Sequence, residues 1–337
     1  MKRKGIVYGL ILLVLSLIFT LFYNASVYAQ TPITLKVAHV TSVEDSRHLA
    51  FLRFANLVEE ATAGKVKVEI FPGGQLGGDR EAIEGVKLGT IDITCAGSGI
   101  FGGFEPKLGV WNLPYLFTNS YEAWKVIDGP AGDAILKTLE KQGMIGLGYF
   151  ENGFRNITNS KRPINSLSDI SGLKIRTPEN EVLLSTIRAL GGSPTPMPWP
   201  ELPSALQQGV IDGQENPIPL IITAHIYEMN KYIALTRHSY EPMPLVISKK
   251  TWDKLNHFQK EVIKFAGMVS IGYNRGLNLK LANEGIGIIE SKGGIITRPD
   301  LGPFKPPTTP VREKFFKEVL GSELTQLVTK EIKKVQQ

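Results

Sequence analysis

The sequence predicts an α/β protein with a mostly parallel sheet shared between two similar lobes. Three features carry that expectation. Strands and amphipathic helices alternate from Leu35 to Ala96, a helix–glycine–strand unit recurs once at matched spacing, and the last third holds a helical run long enough to touch both halves.

Ahead of the first strand, "MKRK" places three positive charges before an apolar run from Ile6 to Tyr23. "VYAQ" follows, with small or apolar residues where a signal peptidase would cut. The pattern is that of a secretory signal over residues 1–29, cleaved after Ala29 and sending the chain to the periplasm. The run also reaches the roughly 17 apolar residues that an uncleaved membrane anchor needs, so both outcomes stand. Every later apolar run is broken by charge, glycine or proline, and no stable membrane insertion of the mature chain is expected.

An apolar content of 42% suits packed cores, and the length suits two of them. The formal charge of +6 includes the three positives of the leader, and 6 less 3 leaves about +3, interspersed along the chain. That is no nucleic-acid footprint. The single cysteine, Cys95, excludes an internal disulfide and lies too far from the leader to carry a lipid.

The elements follow in order. Leu35 to His39 reads as a strand, and the next helix sets Leu49, Leu52, Ala55 and Val58 on one face until Gly64 stops it. Alternating "KVKVEIF" makes a second strand. A helix from Asp79 to Leu88 stops at Gly89 and leads to a strand running into Ala96. "GMIGLGYF" and "GVID" are further apolar strands. In "SLSDISGLKIRTP", Ser166 and Asp169 cap a helical turn, Gly172 ends it, and Leu173 to Arg176 form a strand stopped by Pro178.

Glu81, Gly89, Ile91 and Asp92 share their spacing with Glu201, Gly209, Ile211 and Asp212, and the buried stripes of the two helices agree. Two copies mean paired lobes, not a solenoid. From Lys250 to Gly293 the chain reads as one long helix or two abutting ones, expected to bridge the lobes.

Several stretches invite an enzymatic reading. "GSGIFG", Gly97 to Gly102, matches a dinucleotide fingerprint, but "GFEPKLGVWNLP" follows with Pro106 and no helical period, so a phosphate would find no helix N-terminus. Cys95 sits in an apolar strand and reads as an inert buried thiol. No two of His39, His48, His225, His238 and His257 have a metal-binding helical spacing, and no serine occupies a G-x-S-x-G elbow. No catalytic residue, metal or cofactor is expected.

What remains is a set of polar residues at strand ends. Open α/β sheets bind ligands beyond the carboxyl ends of their strands. Arg176 is the last residue of its strand, Arg155 lies just past "GMIGLGYF", and Gln214, Glu215 and Asn216 follow "GVID" before Pro217. Two guanidinium forks and an amide converging on one crevice suit a carboxylate, although each arginine alone would pass for a solvated strand-end charge.

"GGQLGGDREAIEGVKLGTID", "GFRNITNSKRPINSLSDISGLKIRTPEN" and "ELPSALQQGVIDGQENP" resemble the defining segments of the DctP-type solute-binding proteins of tripartite ATP-independent periplasmic (TRAP) transporters, over nearly the whole mature chain. The resemblance implies a two-lobed periplasmic binding protein fold with hinge strands and a long lobe-bridging helix. One lobe would take residues 31–153 plus about 242–283, the other 154–241 plus about 284–337. It also implies that Arg176 makes a two-pronged salt bridge to a ligand carboxylate, that Arg155 and Asn216 assist, that Trp199 covers the ligand, and that Glu215 approaches polar groups nearby. Pro203 departs from the tyrosine usual in that family.

By the same resemblance the chain is not an enzyme. It would capture an organic acid, with a C4-dicarboxylate or a sugar acid favoured and aromatic and keto acids left open, and deliver it to a TRAP membrane permease. A carboxylate-binding protein serving a sensor or another transporter is the alternative, followed by an exported hydrolase or lyase using Glu215 and Arg155. His39, Arg80 and the loop Gly97 to Gly99 of the first lobe are expected to face the crevice and set specificity, the glycines leaving room for the ligand.

Overall fold

The computed structural model describes residues 32–336. The leader, and the first lobe's expected starting residue, lie outside that range.

The chain opens with β1 (Ile33–Ala38), α1 (Ser46–Ala61), β2 (Val66–Phe71), α2 (Asp79–Leu88) and β3 (Ile93–Cys95), the three strands pairing in parallel as β2-β1-β3. The buried side of α1 carries Ala50, Phe51, Phe54, Ala55 and Val58, whereas Leu52 is 43% exposed. The expected stripe is therefore rotated. Two aromatic rings bury more apolar area against the sheet than the leucines would, and they decide the face. A single helical turn, α3 (Ser98–Phe101), lies within the glycine-rich stretch, only 3-10 turns over Pro106–Asn112 follow it, and α4 (Ser120–Ile127) and α5 (Pro130–Lys137) complete this region.

β4 (Met144–Asn159) then crosses to the second lobe as one 16-residue strand. There β5 (Lys174–Thr177), α6 (Glu181–Ala189), β6 (Ser193–Pro196), α7 (Leu202–Gln207) and β7 (Gly213–Pro217) repeat the first arrangement as β6-β5-β7. α8 (Ile218–Thr223) and α9 (Ile226–Met229) follow. β8 (Tyr232–Ser248) returns to the first lobe antiparallel to β4, so the two long strands join the lobes into one sheet ordered β2-β1-β3-β8-β4-β7-β5-β6, with β9 (Ile295–Thr297) beside β8. The internal echo is physical. Gly89 (φ 80°) and Gly209 (φ 67°) are both left-handed stops, and Asp92 and Asp212 each accept from the N–H of a lysine on the neighbouring strand, Lys36 and Lys174, at 2.8 Å.

α10 (Lys249–Lys254) precedes α11 (His257–Ser291), a helix about 52 Å long at 1.5 Å per residue. Val262, Ile263 and Ala266 pack into the first lobe's core and Ile289 into the second's, so the helix spans both. α12 (Lys305–Phe315) and α13 (Ser322–Gln336) end the chain. Of residues 284–337, grouped with the second lobe from the sequence, Ile289 and Phe304 pack into that lobe's cores, whereas Val328 and Ile332 of α13 join the core of Ala123, Ile127 and Ile135 in the first lobe. Among the described residues no helix is long and apolar enough to cross a membrane.

Candidate functional site

The crevice lies where the two lobes meet below β5, β7 and β4. Arg176, on β5, is only 2% exposed. Its Nε and Nη2 both donate to the Met197 carbonyl, at 2.9 and 2.6 Å, and the guanidinium stands 5.8 Å from the Trp199 ring centroid. Among the described residues no carboxylate pairs with it. Burial first, and then the neighbouring Arg155, push its pKa down to about 10, so it stays charged at neutral pH but under strain from its surroundings.

Arg155 is the opposite case. It sits within β4 rather than past a strand end, and Gln214, Glu215 and Asn216 lie inside β7, because "GVID" turns into the strand instead of forming it. The Arg155 guanidinium bonds Glu215 through Nε and Nη2 (Nη2 to Oε1, 2.7 Å) and Glu241 through Nη1. Glu215 also meets His238 Nε2 at 3.1 Å, and Glu241 accepts from Asn152 Nδ2 at 2.6 Å. Burial works against these charges, yet the pairing outweighs it: Arg155 is raised and the Glu215 carboxyl lowered from their ordinary values. Arg155 is neutralised by the protein itself; Arg176 is not.

Two adjoining cavities of about 30 Å³ each open onto Arg176, Asp79, Pro178 and Trp199. One reaches Arg80 and Met197, the other Arg47, Asn152, Arg155, Asn216 and Glu241. Larger voids, of about 500 Å³ beside α3, α6 and α12 and about 410 Å³ between the hinge strands and α11, lack the paired buried guanidinium groups. Among the described residues no group of three or more His, Cys, Asp or Glu is placed to hold a metal ion.

A family model described as bacterial extracellular solute-binding protein, family 7 (DctP), matches residues 37–319. The chain belongs to this family. Among its DctP relatives, the 2,3-diketo-L-gulonate-binding periplasmic protein YiaO of Escherichia coli (strain K12) is 34% identical over 335 residues, 98% of this chain and 96% of that protein. The sugar acid binding protein DctPAm from Advenella mimigardefordensis strain DPN7T, solved in complex with galactonate, is similar in structure with a TM-score of 0.87 at 34% identity, covering 90% of this chain and 99% of that one. A TRAP periplasmic solute binding protein from Polaromonas sp. JS666, bound to D-erythronate, gives 0.85 at 36% identity, covering 90% and 98%.

In this DctP-family crevice the structure brings together Arg176, Arg155, Asn216 and Trp199, with Glu215 one layer behind Arg155 and Arg80 at the mouth, half exposed and 3.7 Å from Glu84. His39 is not there. It is buried beside β1, stacked on Phe51 and bonded to Thr41 Oγ1 and His48 Nδ1, because a side chain at a strand end flanked by a helix finds its partners inside the lobe. The glycines do not leave open space either: a Cβ on Gly97 would lie 2.4 Å from Glu241 Oε1, and one on Gly99 1.6 Å from Asn180 Nδ2, so the protein's own side chains use that room.

Arg47, Asp79, Asn152 and Glu241 line the crevice and escaped the sequence reading. One signal existed. Arg47 lies in the first turn of a helix with no acidic residue there, where the dipole disfavours a cation, so its placement serves something other than the helix.

Proposed function

We propose that this DctP-family protein captures a small sugar acid between its lobes in the periplasm, after removal of its leader, and hands it to the membrane permease subunits of a TRAP transporter. The observation that carries this reading is Arg176, a buried guanidinium without a carboxylate partner beside an arginine that already has two. A ligand carboxylate supplies the missing countercharge and gains a planar fork of donors. Asn216 adds an amide, and Trp199 a flat wall over the ligand's carbon chain. Arg155 acts by holding Glu215 and Glu241 in place, and Arg80 guards the mouth.

A sugar acid is favoured over a C4-dicarboxylate because relatives of similar length and fold bind galactonate and D-erythronate. No catalytic step is assigned. Glu215 is held between Arg155 and His238, which leaves it no lone carboxylate character for acid or base work.

A thermal-shift screen of organic acids tests the reading, since a ligand at a hundredfold excess over Kd stabilises the native state by about 2.7 kcal/mol. Aldonates and related acids are expected to raise Tm and neutral sugars to leave it unchanged. A shift with neutral sugars and none with any acid would overturn it.

A further inference from the structure

Halfway along β4, where the chain passes from one lobe to the other, Glu151 cannot complete its backbone hydrogen bonds with neighbouring strands alone. Its partner on β8 is Pro242, which has no N–H to give, and on the other edge β7 pairs only from Arg155 onward. Glu151 is 2% exposed, so an unpaired group there would be cut off from water. Two asparagines of α11, one helical turn apart, fill the gap. Asn274 Oδ1 accepts from the Glu151 N–H at 2.7 Å, and Asn278 Nδ2 donates to the Glu151 carbonyl. Ser46, the first residue of α1, joins the two amides: Asn274 Nδ2 donates to Ser46 Oγ, and Ser46 Oγ donates to Asn278 Oδ1, both at 3.0 Å. The result is a closed ring of four hydrogen bonds through α1, α11 and β4, all of it buried.

What the ring grips lies beside the bend of the hinge. The β4–β8 register shifts between Glu151 and Gly153, and Gly153 has φ 116°, a backbone region that side chains rarely adopt. Two residues beyond it stands Arg155. Asn152, in between, donates to Glu241, which pairs with Arg155. On the far side of the ring, Ser46 precedes Arg47, which lines the crevice. We propose that Ser46, Asn274 and Asn278 are positioning residues that make Glu151 the fixed end of the hinge, so that bending is confined to Gly153 and closure brings Arg155 and its neighbours to one place. None of the three lines the cavities at Arg176. Each bond in a ring orients the next donor, so breaking it at one residue releases the others. The effect on ligand affinity rests on the proposed function; the effect on the hinge does not.

Hydrogen exchange of the ligand-free protein tests the hinge directly. Ser46→Ala removes one hydroxyl and should speed exchange over residues 150–152 by about three- to tenfold, the loss of one hydrogen bond, while residues 157–159, paired with strands on both sides, exchange as in the wild type. Calorimetry with D-erythronate or galactonate, whichever binds the wild type more tightly, should show a loss of affinity of about three- to tenfold in Ser46→Ala. Because the ring acts as a unit, Ser46→Ala combined with Asn278→Ala should bind within about twofold of Asn278→Ala alone. Unchanged exchange over residues 150–152 overturns the proposal, and so does equal acceleration over residues 157–159, which a general loss of stability would give. Wild-type affinity in Ser46→Ala, or additive losses in the double variant, overturns it too. If the wild type binds neither acid, nor any other in the thermal-shift panel, the carboxylate reading falls and the exchange comparison still decides the ring.

Discussion

Asn180 reaches across the crevice to Asn112, its Nδ2 lying 3.3 Å from Asn112 Oδ1, while its own Oδ1 accepts from the N–H groups of Val182 and Leu183 and caps α6. The other lobe mirrors this. Asp45 caps α1 through Oδ1, accepting from Arg47 N at 2.9 Å, and its Oδ2 accepts from Thr223 Oγ1 of α8 at 3.1 Å. The cap of each lobe's first crossover helix therefore doubles as a tie to the opposite lobe in this closed arrangement.

Gly99 lies directly under the first tie. Because Asn180 is pinned by its capping bonds, the added methyl of Gly99→Ala, 1.6 Å from Asn180 Nδ2, forces the lobes apart instead of moving one side chain. The variant should bind at least about tenfold more weakly, through incomplete closure. Small-angle scattering should show the wild type contracting with ligand and the variant contracting less. Unchanged affinity would mean that Asn180 yields and the tie is dispensable.

Arg155 should matter for folding as well as binding. Arg155→Ala strands Glu215 and Glu241 as buried carboxylates, and breaking such a group by removing one partner costs about 3–5 kcal/mol. Urea unfolding without ligand reads this directly. A loss below about 1 kcal/mol would show that water enters and that the network is not structurally required.

His39 makes a pH prediction. Burial first, then Arg47 and His48, depress its pKa to about 2. The unfolded chain binds a proton below about 6.5 that the folded chain refuses, so this residue's contribution to stability is intact above that pH and is lost as pH falls, by about 1.4 kcal/mol per unit. Between pH 6.5 and 5 the wild type should therefore lose about 2 kcal/mol more than His39→Gln. Parallel stability curves for the two proteins would contradict the buried neutral histidine.

Much of this architecture was legible because local rules and tertiary packing agree. Gly89 and Gly209 stop helices where the backbone turns left-handed, and the Asp92 and Asp212 bonds explain why the echo spans that spacing. The hinge strands were harder. β4 and β8 run through glycines and prolines that normally end strands, and register shifts at Gly146/Gly148, Glu151/Gly153 and Arg155/Ile157 absorb the irregularity. Pro242 and Pro244 are tolerated because the other edge of β8 is unpaired there, β3 reaching only Leu245–Ile247 and β9 only Tyr232–Ala234.

The strand that carries Arg176 was legible because Pro178 fixes its end, although it closes at Thr177, one residue beyond the expected end. That the protein itself saturates Arg155 was not legible, since its partner Glu241 lies 86 residues away along the chain. Arg47 and Asp79 looked like ordinary helix-start residues. An amphipathic helix such as α13 likewise advertises a buried face without naming the lobe that buries it.

The most direct measurement is calorimetry of Arg176→Lys against the wild type, with D-erythronate or galactonate, whichever the wild type binds more tightly. Lysine keeps the charge but loses the planar fork and one of two parallel hydrogen bonds to the carboxylate. Hydrogen bonds to charged groups contribute about 1.5–3 kcal/mol, so affinity should fall by about ten- to a hundredfold or more. Ligand-free stability should fall by no more than about 1.5 kcal/mol, because lysine keeps the charge and a donor for the Met197 carbonyl, to which Arg176 gives two bonds. Wild-type affinity in the lysine variant would contradict the assignment of Arg176 as the residue that holds the ligand.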